Sequence, residues 1–129
     1  MYPNEFRYTK DHEWLKLEGG EALVGVTDFA QHQLGDIIYV DLKPVGTKLG
    51  AHQPLATIES VKSVSDVFSP VAGEIIAVND ELAQTADIIN KDPHGKGWIA
   101  RLRVGNTQDV AGLMKAADYE KYLEGLEEH

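Results

Sequence analysis

Lys62 lies between two strand-like apolar runs, residues 55–59 and 67–69, in the segment Glu59-Ser60-Val61-Lys62-Ser63-Val64-Ser65-Asp66-Val67. Two such runs joined by a few short residues predict a hairpin with one amine at its tip. A lysine so placed is either an ordinary solvated charge or the attachment point of a swinging cofactor. Attachment requires an exposed tight turn, a rigid scaffold beneath it, and small flanking residues that let a modifying enzyme grip the hairpin. Lys62 meets all three, with Ser63 beside it, Ser60 and Ser65 near it, and Gly73 expected to shape the second limb of the bend. Acylation would remove the charge. A group carried on such an arm gains effective concentration at a partner's site without tight protein–protein binding.

The other chemistries lack their parts. There are no cysteines, which excludes disulfides, thiolate metal sites and a cysteine nucleophile. The histidines, His12, His32, His52, His94 and His129, form no tight ligand set. Surface side chains are the simpler reading for His32 and His52. Gly95-Lys96-Gly97 is too short to cradle phosphate and reads as a turn, and no serine sits in Gly-x-Ser-x-Gly. The net charge of -9 argues against nucleic acid and favours solubility, a monomer, and steering toward basic protein surfaces. Asp118, Glu120, Glu124, Glu127 and Glu128 crowd the C-terminus as a solvated helix face. No apolar stretch approaches a membrane span, and the start lacks the layout of a secretory signal. A cytoplasmic location is the expectation, with no membrane and no nucleic acid as partner.

The elements that must hold Lys62 are mostly short strands. The length suits one domain, residues 1–129, with a core over about 8–105 and a helical segment over about 107–126. Residues 13–17 and 22–26 form a hairpin around Glu18-Gly19-Gly20. Thr27 offers an N-cap to a short helix through Leu34, which Gly35 stops. Residues 37–42 form a strand, Lys48-Leu49-Gly50 a turn, and residues 74–78 a strand after a bend at Gly73. Around residues 98–104, Trp98, Ala100, Leu102 and Val104 alternate with Ile99, Arg101 and Arg103, which makes Trp98 a core candidate. Thr107 caps a helix expected to contain Val110, Leu113 and Met114, and a second helix carries Tyr119, Tyr122, Leu123 and Leu126. The fold class is mainly β, a flattened antiparallel barrel or sandwich with a short helix in the N-terminal half and two C-terminal helices.

Several separated motifs carry a resemblance. Glu59-Ser60-Val61-Lys62, continued by Ser65-Asp66-Val67-Phe68-Ser69-Pro70-Val71-Ala72-Gly73-Glu74-Ile75, resembles the attachment region of the H protein of the glycine cleavage system. His12-Glu13-Trp14, Val24-Gly25-Val26-Thr27-Asp28, Leu34-Gly35-Asp36, Asn79, Ile89-Asn90, Asp92-Pro93 and Gly97-Trp98-Ile99 match in order and spacing. The likeness runs from about residue 8 to 123.

The resemblance implies a lipoyl-bearing carrier of the biotinyl/lipoyl-carrier fold, not a catalyst. Lipoate would be joined by an amide bond to Lys62, with Glu59, Val61, Ser63 and Gly73 supporting the hairpin for the lipoate-attaching enzymes. The implied partners are glycine decarboxylase (the P protein), which loads an aminomethyl group; an aminomethyltransferase (the T protein), which passes it to tetrahydrofolate; and dihydrolipoyl dehydrogenase (the L protein), which reoxidises the dithiol. The loaded arm would fold into a cleft where Glu13 and Asp66 face its ammonium, since charge-assisted contacts are the strong ones. The bland alternative for Glu13 is a surface acid beside a buried Trp14. Several family members have histidine at the position of Gln33, whereas here His32 is one residue earlier and shares no direction with it. Biotin carriers flank their lysine with methionines, and lipoyl domains of 2-oxoacid dehydrogenases present Asp-Lys-Ala; Val61-Lys62-Ser63 is neither. Relay of lipoate to other complexes is equally compatible with the sequence.

Overall fold

A computed structural model describes residues 2–127; Met1, Glu128 and His129 lie outside the described residues. The chain runs β1 (Arg7–Tyr8), β2 (Glu13–Glu18), β3 (Glu21–Val26), α1 (Asp28–Leu34), β4 (Ile37–Leu42), β5 (Lys48–Leu49), β6 (Pro54–Ser60), β7 (Val64–Phe68) and β8 (Gly73–Val78). A 3-10 turn (Asp80–Ala83), α2 (Ile88–Lys91), β9 (Ala100–Val104), α3 (Gln108–Ala111) and α4 (Ala116–Glu127) follow. Two antiparallel sheets form, one of six strands in the order β1-β2-β3-β9-β8-β5 and one of three in the order β4-β6-β7. This is the expected flattened sandwich.

Period-2 patterning explains the layering. Ala22, Val24, Ala100 and Leu102 point inward from the large sheet, and Ala56, Ile58 and Val67 from the small one, all in one buried cluster. Burying each large apolar side chain there contributes about 1.5–3 kcal/mol. A second cluster of Phe6, Tyr8, Trp14, Tyr119 and Leu123 forms under α4. Trp14 is its largest member, and its indole N–H donates to the Pro93 carbonyl at 2.8 Å.

Thr27 caps α1 as its type predicts, accepting the Ala30 N–H at 3.3 Å, and Gly35 closes the helix at φ +78. Elsewhere the structure corrects the expected elements. The strand leaving the Lys62 turn starts at Val64, because Ser65 and Asp66 pair with Ile58 and Thr57 despite their polarity. Lys48 and Leu49 pair with Glu74 and Gly73 instead of turning. The helix after Thr107 is a single turn. Thr107 gives no side-chain cap; the Asn106 side chain accepts the Gln108 N–H, and Met114 bridges to Tyr8 outside the helix. Trp98 is only half-buried, on the flank of the second cluster, so the deep tryptophan is Trp14. Among the described residues no helix is long and apolar enough to cross a membrane.

Candidate functional site

The β6–β7 hairpin closes more tightly than the sequence suggests. Glu59 pairs with Val64, and the Ser60 N–H donates to the Ser63 carbonyl at 2.8 Å, which leaves Val61 and Lys62 as a two-residue tip. Ser60 organises that tip. Its side chain is turned in, 8% exposed, and its Oγ accepts the N–H groups of Lys62 at 3.2 Å and Ser63 at 3.1 Å. A short hydroxyl satisfies turn amides in this way without adding bulk. The Val61 N–H donates to the Asp36 carbonyl at 3.0 Å, tying the tip to the loop after α1. Asn90 anchors that loop from α2. Its Oδ1 accepts the Ile37 N–H, and its Nδ2 donates to the Gly35 carbonyl and to Gln31 Oε1.

Lys62 is exposed and makes no ion pair among the described residues. Its stem lies over Gly35, where a Cβ would fall 2.7 Å from Lys62 Cε. Gly35 therefore answers two demands, a left-handed backbone and an open surface for the lysine. Val61 and Val64, each 64% exposed, flank the amine, and Ile38 and Tyr39 are exposed at the head of β4. Glu59 pairs with both Tyr39 and Val64, so these three share the outer face of the small sheet. Ser63 is exposed and contributes its backbone amide to the turn. Gly73 does not belong to this hairpin. A Cβ there would fall 2.6 Å from the Arg103 carbonyl, so the crowding expected at Gly73 exists but serves the β8–β9 pairing in the other sheet.

A cleft of about 140 Å3 lies between β7, α1 and the start of β2. Val26, Ala30, Leu34, Ile58 and Val67 form its apolar lining, and Asp11, His12, Glu13, Gln33, Ser65 and Asp66 its polar one. Glu13 and Asp66 thus meet at one cavity. Glu13 is 2% exposed, which corrects the surface-acid alternative. Its Oε1 accepts the Thr9 hydroxyl at 2.7 Å and its Oε2 the Phe68 N–H at 3.2 Å. Burial pushes its carboxyl up to about 7, against the opposing pull of those two hydrogen bonds and with a smaller push from Asp11. Asp66 is exposed and accepts the Thr57 hydroxyl at 3.0 Å. His32 turns away, 3.4 Å from the Asp28 carboxylate and 70% exposed at its side chain, while Gln33 faces the cleft.

His12 is half-buried at the cleft wall, at φ +69, with burial holding its imidazole below the usual range. Its Nδ1 is 2.8 Å from the Tyr119 hydroxyl, which is also 2.7 Å from Thr27 Oγ1. Among these residues, Ser60 carried a local signal, a serine two positions before the lysine of a tight turn. Thr9 and Tyr119 carried none that identifies them with the site, and Tyr119 reaches His12 across 107 positions of chain. A cleft with an apolar lining and a buried carboxylate suits a small group that ends in an ammonium.

A family model described as Glycine cleavage H-protein matches residues 6–126. A glycine cleavage system H protein of Chlorobium limicola is 52% identical over 123 residues, covering 94% of this chain and 96% of that protein. One of Chlorobaculum tepidum is 54% identical over 119 residues, covering 91% of this chain and 93% of its own length. The crystal structure of a glycine cleavage system H protein from Mycobacterium marinum superposes with a TM-score of 0.87 at 32% identity, covering 95% of this chain and 99% of that one.

Proposed function

Since the chain belongs to the glycine cleavage H-protein family, as a non-catalytic lipoyl carrier, we propose that Lys62 is its lipoylated residue and that the cleft at Glu13 shelters the cargo. One observation carries this reading: the amine at the tip of a serine-clamped two-residue turn stands clear of every ion pair among the described residues. Bound there, lipoate would supply a reducible dithiolane as the acceptor for a one-carbon amine fragment. The chain's own residues do the rest. Ser60 and Asn90 hold the root of the arm still. The saddle at Gly35 leaves room for the stem of Lys62 beside α1. Ala30, Leu34 and Val67 exclude water from the cleft, and Glu13 with Asp66 presents carboxylates to an ammonium.

In this reading one carrier domain acts as a monomer in the cytoplasm. It visits the P, T and L proteins in turn, after a lipoate-attaching enzyme has modified it. The exposed Val61 and Val64 beside Lys62 give a visiting enzyme something apolar to grip, and the net charge of -9 steers the carrier toward basic surfaces. Docking must be brief, because a tight complex with one enzyme would block the others.

The test is lipoylation followed by mass spectrometry of the peptides. The added mass should fall on the peptide containing Lys62, and Lys62→Arg should fold, remain unmodified and lose carrier function, because arginine keeps the charge but cannot form the same amide linkage. The lipoylated parent should support glycine-dependent carbon dioxide exchange with a P protein and fail as the acyl carrier of a pyruvate dehydrogenase complex. Lipoate on Lys48, or biotin on Lys62, would refute the assignment.

A further inference from the structure

The Tyr119 hydroxyl performs a task that packing does not require. Tyr119 is fully buried, stacked on Tyr8 at 4.8 Å between ring centroids, and phenylalanine would fill the same place. Yet its oxygen reaches one residue that lines the cleft and one that caps a helix lining it. On one side is His12 Nδ1 at 2.8 Å, and His12 lines the cleft next to Glu13. On the other is Thr27 Oγ1 at 2.7 Å, and Thr27 caps α1, whose Ala30 and Leu34 line the cleft. One phenol hydrogen suffices: the hydroxyl donates to one partner while it accepts from the other. Burial pushes its pKa up, so it stays a phenol.

His12 needs such a hold. Its φ of +69 is a left-handed conformation that a non-glycine residue keeps only when its surroundings fix it. Backbone bonds to Thr9 and Thr27 supply part of this: the His12 N–H donates to the Thr9 carbonyl and the Thr27 N–H donates to the His12 carbonyl. The ring packs on Phe29 at 4.5 Å, and the hydroxyl of Tyr119 fixes its orientation. Thr9 in turn binds the Glu13 carboxylate.

We propose that Tyr119 is a positioning residue for the cargo cleft: its hydroxyl couples the His12–Glu13 wall to the α1 wall and thereby prolongs retention of an ammonium-bearing cargo. This rests on the reading that the cleft at Glu13 shelters the cargo.

The experiment compares Tyr119→Phe, His12→Asn, Glu13→Gln and Leu123→Ala with the parent. In the unlipoylated protein, Tyr119→Phe should shift the His12 Nδ1 resonance and speed amide exchange at Phe68, whose N–H binds Glu13, by several-fold. In the lipoylated protein loaded by a P protein and then separated from it, the cargo half-life should fall several-fold in Tyr119→Phe. His12→Asn, which tolerates the left-handed backbone, should shorten it to a similar extent. Leu123→Ala loosens the same helix without touching the hydroxyl and should leave the half-life near that of the parent. The inference is overturned if Glu13→Gln shortens retention while Tyr119→Phe does not, or if Leu123→Ala shortens it as much as Tyr119→Phe. If Glu13→Gln itself retains cargo like the parent, the sheltering reading falls and this inference falls with it.

Discussion

Glu13 is an acid held where charge is penalised. Its carboxyl moves from an ordinary 4.5 to about 7 on folding, chiefly through burial. Between those values the folded protein binds more protons than the unfolded chain. The contribution to stability is therefore fully present below about pH 4.5 and is lost as pH rises through about 7. The size of the loss is at most roughly 3 kcal/mol. Glu13→Gln removes the titration, so the parent should lose stability relative to the variant between about pH 4.5 and pH 8. Urea unfolding at both pH values measures this, and parallel pH dependence of the two proteins would show the carboxyl to be unperturbed. In the proposed sheltering role the same penalty would favour a cationic cargo, since an ammonium in the cleft would stabilise the ionised form.

At the scale of elements, the β6–β7 hairpin owes its shape to Ser60. Ser60→Ala strips the acceptor from the Lys62 and Ser63 amides and should cost about 1 kcal/mol. Amide exchange at those two positions should quicken, and lipoate attachment should slow. Unchanged exchange would mean that Ser60 does not hold the turn. Gly73 is the contrasting element-scale case. Gly73→Val drives a side chain into the Arg103 carbonyl of β9 and should cost roughly 1–3 kcal/mol, read from the urea midpoint. The lipoylation rate of the folded fraction should stay at the parent's value, because the strain falls in the six-stranded sheet and Lys62 is carried by the other.

For the whole molecule, the two sheets and α4 form one scaffold around two apolar clusters. Trp14 is central to the second, stacked on Phe6 at 4.6 Å, and Gly25 opposite it leaves room for the indole. Trp14→Ala should cost about 3–5 kcal/mol. Trp98→Ala, from a half-buried position on the flank, should cost clearly less. Chemical denaturation of both variants checks the order, and equal losses would contradict the burial difference. The acidic surface belongs to this scale as well: it acts on encounter with partners and is screened by salt.

The sequence by itself determined what is local. Alternating or nearly alternating apolar residues marked β2, β3 and β9 as strands, Thr27 and Gly35 bounded α1, and short residues around Lys62 marked an exposed turn, because each property depends on neighbours a few positions away. The separated motifs carried the family by their order along the chain. The pairing of Ser65 and Asp66 into β7 was not legible, since polar residues join a strand only when a partner such as β6 offers hydrogen bonds. Gly73 was misplaced for a related reason: its crowding is visible as a requirement for glycine, but the carbonyl that causes it comes from Arg103. The cleft was decided entirely by tertiary structure. It required the β2 start, α1 and β7 to converge, so that Glu13 lost its water and Tyr119 reached His12, contacts whose energy depends on distance in space and not along the chain.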